Sequence, residues 1–131
     1  MTSKTHLLEL MRKKEKILVH RRALALGALN TEHEKTQGLT EQLADMIDQN
    51  SPKSGVVLLP HMLGNAARLA AKLSEQRDIS RNRTDYLQTE IGAAQKLLAR
   101  HQTRESILKD RVLLEERAHQ ERVQTANDAM L

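Results

Sequence analysis

The sequence predicts an all-α protein, a long two-helix antiparallel coiled-coil hairpin, and three observations carry that expectation. Among 131 residues there is no Phe or Trp and the one aromatic is Tyr86, so the bulk that normally fills a globular core is missing. The apolar fraction consists of Leu, Ala, Ile, Val and Met beside 29% charged residues, the profile of long helices. Turn chemistry is gathered into one short break, Asn50-Ser51-Pro52-Lys53-Ser54-Gly55, in a chain that otherwise reads as helix.

The first helix is expected over about residues 5–49. A strict alternation of three and four residues runs through Leu8, Met11, Leu18, Ala25, Leu29, Leu39, Leu43 and Met46, a heptad-like seam. The same register crosses Glu15, Arg22, Glu32 and Thr36, where loose packing is expected. Gly27 and Gly38 each weaken a helix by roughly 1 kcal/mol relative to Ala.

The turn is placed at about 50–59, with Ser51-Pro52 and Gly55 as its signals. A connection this short makes the helices antiparallel neighbours. Pro60 suits the first turn of the second helix, where its missing N–H costs nothing. That helix is expected over about 60–122, its register passing Leu59, Leu63, Ala66, Ala70, Leu73, Leu87, Ile91, Ala94, Leu98, Leu108 and Val112. Arg77, Ser80 and Thr84 form one polar gap, His101 with Glu105 another. At a 1.5 Å rise the two helices would reach about 70 Å and about 90–100 Å. Few apolar positions follow Glu115, so a frayed C-terminal tail is expected, and the chain is read as one helical-hairpin domain over 1–131.

Several function classes fall away. Without cysteine there is no disulfide framework or thiol nucleophile, which fits a reducing, cytoplasmic setting. The longest aliphatic run, Val56-Val57-Leu58-Leu59, is far below the roughly 20 residues of a membrane span. His101 with Glu105 and Glu115 with His119 share helix faces at i,i+4 spacing, but two ligands do not make a metal site. No phosphate loop, nucleophile elbow or paired-carboxylate motif is present, so no catalytic residue, cofactor or metal is expected.

Charge is uneven. Residues 1–22 carry seven Lys or Arg against two Glu, a balance of +5, which leaves −1 for the rest of a chain whose total is +4. Lys13, Lys14, Lys16, Arg21 and Arg22 make this end a candidate protein-binding surface, with a merely solvated helix end as the bland reading. Nucleic acid is disfavoured because aromatic stacking residues and a defined motif are missing. A membrane-surface role for Leu7, Leu8, Leu10 and Met11 lacks Trp or Phe anchors. The apolar tip, Val56 to Leu59 with Met62 and Leu63, either docks a partner, with Met46, Val57, Leu58, Leu59, Met62 and Ala66 as the turn-end surface, or caps the hairpin by folding onto Met46 and Ile47.

The early segment Leu7-Leu8-Glu9-Leu10-Met11-Arg12-Lys13-Lys14-Glu15-Lys16, the mid-chain turn, the stretch Leu59-Pro60-His61-Met62-Leu63-Gly64-Asn65-Ala66-Ala67 and the Arg- and Glu-rich close from Arg104 to Arg122 together resemble the FliJ/YscO family, the stalk proteins of the flagellar and type III export ATPase complex. The resemblance covers nearly the whole chain. It implies a non-enzymatic component, cytoplasmic and peripherally associated with the membrane-embedded export apparatus. Its paired helix ends would bind the hexameric export ATPase and its turn the cytoplasmic domain of the export gate, and export chaperones are further partners. Unlike many members, this chain has no aromatics near the turn, so a gate contact there would be aliphatic. The alternative is a homo-oligomeric coiled-coil scaffold or adaptor without an ATPase partner, which Leu24, Leu26, Leu97, Leu113 and Leu114, off the main register, leave open.

Overall fold

The computed structural model describes residues 3–50 and 59–131 and contains, among them, two helices. Helix α1 is Ser3–Gln49 and helix α2 is Pro60–Met130. Their inner ends have local causes. Asn50 closes α1 by donating both its backbone N–H (3.0 Å) and its side-chain amide (2.7 Å) to the Met46 carbonyl. Pro60 opens α2, and the carbonyl of Leu59 accepts the first bond, from Leu63 N–H at 3.0 Å.

The chain's contacts divide it into two compact units, Gly27–Gly92 and Met1–Leu26 with Ala93–Leu131. In each, the helices run antiparallel, because partner numbers fall on α2 as they rise on α1. Within the first unit Glu32 meets Arg83 and Thr40 meets Ser80. Within the second, Lys4 meets Glu115 and Glu15 meets His101. The expected all-α antiparallel hairpin is the fold observed.

Burial along α2 follows the heptad closely. Leu73, Ser80, Leu87, His101 and Leu108 are buried at seven-residue intervals, Ala94 is half-buried at the remaining step, and Val112 joins them at the intervening position. Side chains seven apart lie on the same stripe of a slightly underwound helix, which explains the period. Only Leu73, Leu87, Leu108 and Val112 form the buried apolar core among the described residues. Two helices have little interior to fill.

On α1 the expected register is right at one position of most heptads and one residue early at part of the other. Leu8, Glu15, Leu18, Leu29, Glu32, Thr36 and Leu43 are buried or half-buried as expected, whereas Met11, Ala25, Leu39 and Met46 are exposed. Their places are taken by Arg12, Leu26, Thr40 and Ile47, each half-buried. Aliphatic composition drew the register toward Met11 and Leu39, but the facing helix decides it: Thr40 turns inward because Ser80 is there to bond it. Arg22, although at a seam step, is exposed. Helix α2 also runs to Met130, beyond the expected end near 122, through a stretch with no Gly or Pro after Ala93. Every residue from 120 onward is exposed.

Two stability predictions separate the observed register from the composition-based one. Leu87 is 4% exposed and Leu39 is 47% exposed. Leu87→Ala is expected to lower the denaturant-unfolding free energy by about 2–3 kcal/mol, the low end of core truncations because the seam is thin. Leu39→Ala is expected to change it by less than about 0.5 kcal/mol. A Cβ placed on Gly38 would meet nothing within 4 Å. Gly38→Ala should therefore stabilise the protein by about 0.5–1 kcal/mol, read as a higher thermal midpoint.

Candidate functional site

The polar interruptions of the two helices face each other. In the Gly27–Gly92 unit, Ser80 Oγ donates to the Thr36 carbonyl at 3.1 Å, and Thr40 Oγ1 lies 2.7 Å from Ser80 Oγ. Thr36 Oγ1 donates back to the Glu32 carbonyl, and Thr84 Oγ1 to that of Ser80 at 2.9 Å. The hydroxyls thus bond within their own helices and across the seam, so the expected polar interruption at Ser80 and Thr84 is bridged by hydrogen bonds. Arg83 pairs with Glu32 at 2.9 Å on the rim. That pair is solvated and contributes about 0–1 kcal/mol. His33, beside Glu32, leaves its Nε2 buried without a partner among the described residues, a cost of about 1–3 kcal/mol.

The other unit brings a histidine and a glutamate together in its seam. His101 Nδ1 lies 2.8 Å from Glu15 Oε2, with side chains 9% and 14% exposed. An imidazole N–H at Nδ1 is the donor that suits a carboxylate, which accepts. Sequence reasoning marked both residues as interruptions of separate seams. It missed that they are each other's partner, because counting back from the turn does not pair them: Glu15 lies one heptad nearer the end of α1 than His101 lies to the start of α2. The consequence is measurable in a double-mutant cycle. Glu15→Ala and His101→Ala should each destabilise, and the coupling energy at neutral pH is expected to be about 1–3 kcal/mol.

The predicted basic residues stand clear of this interior. Lys13, Lys14, Lys16, Arg21 and Arg22 are all exposed, and none has a carboxylate within ion-pair distance among the described residues. The two acids of this stretch are engaged elsewhere: Glu9 holds Arg12 at 3.5 Å, and Glu15 faces His101. Between the cations runs a line that the seam register overlooked. Leu10, Ile17 and Leu24 are 49%, 54% and 63% exposed, spaced by seven, and directly opposite the buried side of α1. A surface hollow there is lined by Lys13, Lys16, Ile17 and His20.

At the turn end, Met46, Leu59 and Met62 are exposed, while Ala66 is half-buried at a seam step. Val57 and Leu58 lie outside the described residues. The expected cap would fold Val56 to Leu59 with Met62 and Leu63 onto Met46 and Ile47; Val56 also lies outside the described residues, and Ile47 is half-buried.

Neither i,i+4 pair is left over as ligands: His101 is occupied by Glu15, and Glu115 by Lys4 at 3.5 Å and Arg122 at 3.3 Å. No group of three or more His, Asp or Glu converges among the described residues. Nor is any described helix long and apolar enough to cross a membrane. The described surface carries exposed cations, exposed aliphatic side chains and open hollows. The class so defined is an all-α helical hairpin with a polar-layered seam and a basic outer face. No family model matches the chain, and no curated protein or solved structure shows significant similarity to it.

Proposed function

We propose that this protein is a non-enzymatic stalk or coupling component of a bacterial flagellar or type III protein export apparatus. In this reading it binds the hexameric export ATPase through its basic end and the cytoplasmic domain of the export gate through its turn end. The protein works in the cytoplasm, peripherally associated with the membrane-embedded apparatus, and export chaperones are further partners. The observation that carries the reading is the set of five exposed, unpaired cations on α1, in the unit where the start of α1 lies beside Glu115 of α2. Solvated charges of this kind make a weakly specific electrostatic contact with an acidic or polar ring lining, and such a contact does not lock one subunit in place. The choice of ring rests on the sequence resemblance to the FliJ/YscO family. A homo-oligomeric scaffold is the alternative, favoured by exposed Leu24, Leu113 and Leu114, and light scattering separates the two.

Because these side chains are exposed, reversing them should spare the fold. Lys13→Glu, Lys14→Glu and Arg21→Glu together are expected to leave helicity and thermal midpoint nearly unchanged while reducing ATPase stimulation, most strongly below about 0.1 M salt, where screening is weak. Equal stimulation by the wild type and the triple variant across a salt series would refute the assignment. At the other end, Met46→Ser, Leu59→Ser and Met62→Ser should weaken gate-domain binding without lowering stability. Intact gate binding with lost stability would return those residues to a capping role.

A further inference from the structure

The outer face of α1 within residues 4–24 carries a second heptad line that stands exposed among the described residues. Its members, Leu7, Leu10, Lys14, Ile17, Arg21 and Leu24, alternate in steps of three and four, all are exposed, and the line lies away from the helix's own seam. This is the spacing by which one helix receives another. Leu10, Ile17 and Leu24 would supply the knobs. Around Ile17, Lys13 and His20 stand on one side and Lys14 and Arg21 on the other, one turn above or below.

The charge on this face has one sign. The two acids of residues 4–24, Glu9 and Glu15, lie off this face and are held by Arg12 and His101, so among the described residues no carboxylate pairs with Lys13, Lys14, Lys16 or Arg21. A second copy offering the same face would set cation against cation. An anionic bilayer suits the charge but not the shape: the basic side chains lie within about 40–60° of the apolar line on both sides, and an interfacial helix needs a broad apolar arc with aromatic anchors. A helix with an aliphatic ridge and flanking carboxylates suits both.

We infer that the outer face of α1 is a docking groove for an acidic amphipathic helix of a partner protein, seated on Leu10, Ile17 and Leu24 and bordered by Lys13, Lys14 and Arg21. The inference is independent of the ATPase assignment. It requires only a partner helix of this chemistry, from whatever assembly.

A fluorescent designed peptide of about three heptads, with Leu at the two core positions and Glu at the flanks, serves as the probe. Anisotropy should report saturable, salt-sensitive binding to the full chain. A peptide with the same Leu ridge and Lys flanks should not bind. Leu10→Gln, Ile17→Gln and Leu24→Gln together should weaken binding by about tenfold or more while helicity and thermal midpoint hold. Ile17→Gln alone provides the comparison should the triple variant lose helix. Several results would overturn the inference: no binding of the Glu peptide, equal binding by the glutamine variants, or equal binding of both peptides. It would also fall if the wild type ignored the peptide but bound phosphatidylcholine vesicles with about 30% phosphatidylglycerol. Self-association abolished by the triple variant would likewise assign the face to a second copy.

Discussion

A polar side chain inside a two-helix seam finds its partner mainly on the residue opposite, and Ser80 and His101 each find theirs: Thr36 with Thr40 in one case, Glu15 in the other. Shifting the helices by one heptad would set Thr40 against Leu73 or Leu87 and Glu15 against Ala94 or Leu108, at about 1–3 kcal/mol for each polar group stranded. Leucine pairs do not discriminate in this way, since one aliphatic contact is much like the next. The polar layers therefore set the register, and the few buried leucines supply the affinity between helices.

A seam with four buried apolar residues cannot absorb the chain's aliphatic content. The surplus appears on the outside, at Leu7, Leu10, Ile17 and Leu24 on the basic face and at Met46, Leu59 and Met62 beside the turn. Isolated exposed aliphatics are ordinary. A line at heptad spacing between cations is not, and it gives the basic end a shape as well as a charge. The same division of labour explains why reversing Lys13 or Arg21 should leave folding alone: their carboxylate neighbours are already committed to the interior or to Arg12.

Much of the fold was legible in the sequence because its signals are local. The break near Asn50, Pro60 at the first turn of α2, and the α2 heptad through Leu73, Leu87 and Leu108 all follow from residues near in sequence. The part of the α1 register that failed, at Met11, Ala25, Leu39 and Met46, depends on the other helix. Met11 and Leu39 look more core-like than Arg12 and Thr40, and only the position of Ser80 reverses that preference for Thr40. Likewise Glu15 and His101 were visible as polar interruptions, but their pairing is a fact about two segments 86 residues apart. The cations were legible because exposed charge needs no partner. The Leu10–Ile17–Leu24 line was hidden behind the search for a single seam.

The absence of cysteine permits a direct test of the polar-layer account. Thr40→Cys with Ser80→Cys replaces hydroxyls 2.7 Å apart by thiols, whereas Thr40→Cys with Leu87→Cys offers the pairing one heptad away. Under mild oxidation at low protein concentration, the account predicts rapid intramolecular disulfide formation in the first pair and little in the second, read by mobility on non-reducing gels. Comparable cross-linking in both pairs, or preference for the shifted one, would contradict it.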